Sequence, residues 1–115
     1  MAASQPELTV TTSTDGATTV LGVSGEIDIG TAPVLRETFL RLLDQDEIPE
    51  IALDVSGVTF CDSSGLAVLL MGARRWQSEG KRFALRSPSQ TLARLVDLTG
   101  VRRAFEIEEG GSRES

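Results

Sequence analysis

At 115 residues the chain suits one domain around one core, and 40% hydrophobic with 24% charged residues is the balance of a globular protein. Seventeen acidic against eleven basic residues give a formal charge of -6, which disfavours nucleic acid or an anionic membrane surface as a partner. With no histidine and a single cysteine, Cys–His and Ser–His catalytic pairs, most zinc sites and an internal disulfide are excluded.

In chain order, residues 1–6 have neither a basic start nor an apolar stretch and read as a flexible end without a secretory signal. Leu8 to Thr11 and Thr18 to Ser24 are rich in β-branched residues, with Thr14-Asp15-Gly16 as a turn, and predict a hairpin. Gly25-Glu26-Ile27-Asp28 closes the second strand. A helix opens at Gly30 or Thr31 with Pro33 in its first turn, where a missing N–H costs nothing, and carries Leu35, Phe39, Leu42 and Leu43 as its apolar stripe. Pro49 marks a boundary before the strand Ile51 to Val55.

The segment Asp62-Ser63-Ser64-Gly65-Leu66 follows an apolar approach, Val58 to Cys61, and precedes Leu66, Leu69, Leu70, Ala73 and Trp76 at helical spacing. Gly80 closes that helix as its capping glycine. Lys81 to Arg86 predicts another strand. Ser87-Pro88 signals a helix start, followed by Leu92, Leu95, Val96 and Leu98 and ended by Gly100. Val101 to Ile107 predicts a last strand, and residues 109–115 a flexible tail. One domain over 7–108 is expected, an α/β fold with a partly parallel sheet. The apolar stretch from Ala67 to Ala73 falls far short of the ~20 residues that span a bilayer, so no membrane insertion is expected and the chain reads as cytoplasmic.

The Asp62–Leu66 turn places two hydroxyls at a helix N-terminus, where free N–H groups and the helix dipole stabilise oxygen and negative charge. An ordinary serine cap accounts for one of them. The second serine, with an aspartate in front, calls for a further explanation. Val68 and Met71 fall outside the core stripe of this helix. Either both of its faces are buried, or an exposed apolar strip docks a partner through Leu66 and Val68.

Gly25-Glu26-Ile27-Asp28, the run Leu53 to Leu66, Ser87-Pro88 and Asp97-Leu98-Thr99-Gly100-Val101 together resemble the STAS domain family, specifically the bacterial anti-sigma factor antagonists. The resemblance covers about residues 7 to 108 in order. It implies a single STAS-like domain with a mixed β-sheet of about five strands and helices packed mainly on one side. It also implies an antagonist that binds an anti-sigma factor serine kinase, frees a sigma factor, and is switched off by phosphorylation. The serine after the aspartate is Ser63, the implied acceptor, with Ser64 second in rank and a serine phosphatase acting on phospho-Ser63. Asp28 matches the family's acidic residue at the end of the second strand, beside the turn and against the partner. With Asp62, Ser64 and Gly65 of the turn, and with Leu66 and Val68 of the helix strip described above, it makes up the expected partner-binding set, while the family's other partner-facing side chains vary too much to carry over. Cys61 stands where the family more often has a larger apolar residue.

Two other functional classes use less of the sequence. A STAS docking subunit of a transporter or larger signalling complex would employ the same fold. A nucleotide hydrolase built on Asp28 and Asp62 lacks a glycine-rich phosphate loop with its lysine, and two acids alone are weak grounds for catalysis. Hence no catalytic residue, metal site or cofactor is assigned.

Overall fold

The computed structural model describes residues 7–109, so the flexible ends expected over 1–6 and 109–115 fall outside it, except for Glu109. The elements are β1 (Leu8–Asp15), β2 (Thr18–Ile27), α1 (Ala32–Leu43), β3 (Glu50–Cys61), α2 (Ser63–Ser78), β4 (Arg82–Arg86), α3 (Gln90–Thr99), a 3-10 turn (Arg102–Ala104) and β5 (Glu106–Glu108). The sheet runs β1-β2-β3-β4-β5, with β1 antiparallel to β2 and every later pair parallel. Each parallel pair needs a crossover, and three right-handed crossovers stepping in one direction put all three helices on the same face. The mixed five-stranded sheet covered on one side is therefore the expected STAS-like architecture.

Strand alternation decides what that face buries. Leu21 and Val23 of β2, Ile51, Leu53 and Val55 of β3, and Phe83 and Leu85 of β4 are each no more than 1% exposed. They join Leu35 and Phe39 of α1, Leu69 and Trp76 of α2, and Leu92 and Val96 of α3 in one cluster. On the alternate positions stand Glu50, Asp54, Arg82, Arg86, Glu106 and Glu108. Arg82 is ion-paired with Glu50 at 3.3 Å, with Glu108 at 2.9 Å and with Glu106. The bond to Glu106 raises the guanidinium pKa and lowers that of the carboxyl.

Helices α1 and α2 meet through a glycine. A Cβ on Gly72 would lie 2.7 Å from Phe39 and 2.8 Å from Phe83, whose rings pack edge to face with centroids 5.3 Å apart. Beside them the Trp76 indole N–H donates to the Phe39 carbonyl at 3.2 Å. Lys81 lies outside β4. Its ammonium donates to the Leu43 and Gln45 carbonyls at 2.9 and 3.0 Å, covering the negative end of α1, and sits 5.5 Å from the Trp76 ring centroid. Lys81 and Arg82 are thus both engaged within the fold.

Three boundaries differ from the sequence expectation. Val58 to Cys61 is the second half of β3, which continues past its bulges to the end of β2. Helix α3 starts after Ser89, whose hydroxyl accepts the Leu92 N–H at 3.2 Å, and not at Ser87-Pro88. Ser87 donates its N–H to the Glu108 carbonyl at 2.7 Å, which ties it to β5 and leaves the second serine to cap. Leu98 lies two residues beyond Val96, about 200° around the helix, and is 78% exposed instead of belonging to the stripe. The last strand is also shorter than expected, since the 3-10 turn takes up Arg102–Ala104.

Filling the α1–α2 contact should overpack it. Gly72→Ala is expected to lower the unfolding free energy by about 1–3 kcal/mol with the fold retained, measured by urea denaturation.

Candidate functional site

Helix α2 begins where β3 ends, and Asp62 makes the junction. Its backbone is extended, its carboxylate accepts the Gly65 N–H at 2.9 Å, and its carbonyl accepts the Leu66 N–H at 2.9 Å. Asp62 is therefore the cap, and neither serine is needed for that role. Ser63 is the first helical residue and is exposed, while Ser64 is half-buried. The N–H groups of Ser63 and Ser64 have no acceptor among the described residues and stand at the positive end of the dipole.

The turn is fastened to the end of β2. Asp62 donates its N–H to the Ile27 carbonyl at 3.2 Å. Gly65 is buried against the same residue: a Cβ there would press on the Ile27 carbonyl oxygen and lie 2.7 Å from Ile27 Cγ2 and 2.9 Å from Cys61 Sγ. Because Asp28 follows Ile27 directly, the β2–α1 loop and the serine turn lie side by side.

Asp28 is half-buried and organises its own loop. Its carboxylate oxygen Oδ1 accepts the Gly30 N–H at 2.9 Å and the Thr31 N–H at 3.0 Å. Reciprocally, the Thr31 hydroxyl accepts the Asp28 N–H at 2.9 Å and donates to the Glu26 carbonyl at 2.8 Å. This is the two-way arrangement of a capping box, and it gives the carboxylate a structural duty beside any partner contact. Glu7, Glu26 and Asp28 also bring carboxylate oxygens within 4.8 Å of one another.

The partner-facing strip expected on Leu66 and Val68 is not exposed. Both are buried, at 6% and 7%, because α2 packs on the sheet through Leu66, Leu69, Ala73 and Trp76 and turns Val68 and Gly72 towards α1. The exposed apolar surface lies elsewhere. Ile29, next to Asp28, is 78% exposed, and it heads a groove of about 430 Å³ between α1 and α2, lined by Ala32, Pro33, Arg36, Ser64, Ala67, Val68 and Met71. An isoleucine inside the short loop Asp28–Thr31, belonging to no stripe, was the sequence signal for that surface.

Cys61 is buried at the base of the turn, with its thiol 3.6 Å from the Asp62 carbonyl oxygen. Burial, and secondarily the Asp62 charge, push its pKa up to about 12. It is a packed neutral thiol and no nucleophile.

A family model described as "Mlab, STAS domain" matches residues 10–108. The anti-sigma-B factor antagonist of Bacillus subtilis (strain 168) is 33% identical over 94 residues, which cover 79% of this chain and 84% of that protein. The crystal structure of an anti-sigma factor antagonist from Mycobacterium paratuberculosis superposes with a TM-score of 0.79 at 28% identity, covering 92% of this chain and 90% of its own. The Bacillus cell fate determinant SpoIIAA in its phosphorylated form shares the fold with a TM-score of 0.70 at 20% identity, covering 90% and 93%.

Two expectations follow from these contacts. Asp28→Ala should lower stability by about 0.5–2 kcal/mol through loss of the loop cap, and Asp28→Asn by less, as read from thermal melts. For Cys61, a folded-state pKa raised above that of the unfolded chain means that its contribution to stability is complete below about pH 8.5 and is lost as pH rises towards 12. The decline in urea midpoint above pH 9 should therefore be smaller in Cys61→Ala than in the wild type, and alkylation of the folded thiol at pH 8 should be roughly a hundredfold slower than that of a free thiol.

Proposed function

The chain belongs to the STAS domain family, and on that premise we propose that it is an anti-sigma factor antagonist. It binds an anti-sigma factor that is also a serine kinase, thereby frees a sigma factor, and is inactivated by phosphorylation at Ser63 and restored by a serine phosphatase. It acts in the cytoplasm as a regulatory binding protein, without catalysis of its own. Among the described residues no helix is long and apolar enough to cross a membrane.

One observation carries the assignment of the acceptor. Asp62 takes over the capping of α2, which leaves the Ser63 hydroxyl exposed and without a hydrogen bond to the described residues. A kinase can reach such a hydroxyl without unfolding the turn. Ser64 is the second helical residue, half-buried on the wall of the α1–α2 groove, and is the less accessible of the two.

The same geometry separates binding from stability. A phosphoserine adds about 1.5 to 2 negative charges, which the free N–H groups of Ser63 and Ser64 and the dipole favour by ~0.3–1 kcal/mol while the Asp62 carboxylate opposes it. The fold is left nearly indifferent. A partner covering the turn must desolvate the phosphate and accommodate its charge where it met a hydroxyl. A thousandfold loss of affinity requires only ~4 kcal/mol of that difference. Asp28, held beside the turn by its own loop bonds, and Ile29 add a carboxylate and an apolar contact to the partner-facing surface.

Ser63→Asp is expected to weaken binding to the cognate anti-sigma kinase by about a hundredfold or more while shifting the melting temperature by less than about 2 °C, and Ser63→Ala to bind like the wild type. Titration calorimetry with thermal melts measures both. An Asp variant that bound as tightly as the wild type would overturn the switch, and phosphate located on Ser64 by mass spectrometry after incubation with kinase and ATP would reassign the acceptor.

A further inference from the structure

The apolar groove between α1 and α2 adjoins two slightly smaller depressions that share its walls. One shares Pro33 and Arg36 and is bordered by Glu37, Arg41 and Asp44, and the other shares Ala67 and Met71 and is bordered by Arg74 and Arg75. Helix α2 carries these two arginines and no acidic residue along Ser63–Ser78. Every ion pair among the described residues falls on Arg82, Arg86 or Arg102, which leaves Arg36, Arg41, Arg74 and Arg75 with none. On a chain of charge -6 this helical surface is locally basic, four arginines against Glu37 and Asp44. Of the other nearby acidic residues, Asp28 and Asp62 stand at the N-terminal end of α2, beside Ile29 and Ser64, and Glu79 follows its C-terminal end.

We propose that this surface docks an acidic amphipathic segment of a partner protein, with an apolar side chain seated over Ala32, Ala67 and Met71 and carboxylates reaching Arg36, Arg74 and Arg75. Charge complementarity selects the occupant. A basic segment would meet four cations, and a wholly apolar one would leave the guanidinium groups desolvated and unpaired. Asp28 and Asp62 also set direction, keeping the carboxylates of the segment off the N-terminal end of α2 and over Arg74 and Arg75. Half-buried Met71 on the wall suits such a site, since an unbranched thioether adapts to differing anchors. The inference stands on the α1–α2 surface and not on the chemistry of Ser63, so the two can fail separately.

The test uses an isotope-labelled full chain titrated with a synthetic 14-residue peptide of Leu at helical spacing and Glu elsewhere, against the same peptide with Lys for Glu. Amide shifts at Arg36, Ala67, Met71 and Arg74 with the Glu peptide alone, weakening as salt rises, are the expected result. Arg74→Glu/Arg75→Glu should lower that affinity about tenfold with an unchanged melting temperature, and Arg74→Lys/Arg75→Lys should keep it within about threefold. Equal binding of both peptides, no shifts at millimolar peptide, or shifts confined to the open sheet face would overturn the proposal. So would peptide-independent shifts at these residues that grow with protein concentration, which would make the occupant a second copy of the chain.

Discussion

The arrangement depends on the seating of the α2 N-terminus against the last residue of β2. Gly65 lets the helix backbone approach the Ile27 carbonyl as no larger residue could, and the bond from the Asp62 N–H to that carbonyl closes the approach. Parallel strands can be joined only by a long crossover, so nothing local holds the end of β3 beside the end of β2. The β2–β3 ladder does so as far as Ile27 and Cys61, and this contact continues it into the turn, bringing together a serine turn and an aspartate loop more than thirty residues apart in sequence. Both parts are then stiffened from within, Asp62 by Gly65 and Asp28 by Thr31, so the surface they form is set before any partner arrives.

Rigidity of this kind bears on how a covalent switch could work. A hydroxyl used as a cap is held against the helix backbone and is harder for a kinase to reach. By giving the cap to a carboxylate, the chain leaves a serine at the positive end of a helix with no structural task. Its modification then alters what a neighbour meets more than what the fold requires. The buried Cys61 beneath the turn packs its neutral thiol beside Gly65, where an added Cβ would lie 2.9 Å from the sulfur.

Charge is distributed as unevenly as apolar surface. On the open face of the sheet, Arg82 and Arg86 are absorbed by Glu50, Glu106 and Glu108, and Lys81 is absorbed by carbonyls at the end of α1. The arginines of α1 and α2 have no such partners among the described residues and border an apolar groove. Net charge alone, at -6, conceals that the arginines of the sheet are paired while those bordering the groove are not.

Much of this was legible from the residues. Strand and helix order, the amphipathic stripe of α1, the pairing of Pro33 with a helix start and the capping position of the Asp62 turn follow from local propensity and periodicity, which act over a few neighbours. What local rules could not rank was tertiary competition. Ser87 and Ser89 are equally good caps until β5 claims the first, and Leu98 fits a helical stripe until the angle at which α3 meets the sheet turns it outward. Val68 looks free for a partner until α1 covers it, and Asp28 looks idle until Gly30 and Thr31 fold back on it. The sequence by itself determined the elements, the core alternation and the presence of a hydroxyl-bearing helix start. Which apolar residues remain exposed, and which of Ser87 and Ser89 caps α3, is settled in the folded chain alone, because both depend on backbones meeting across crossovers that no local pattern encodes.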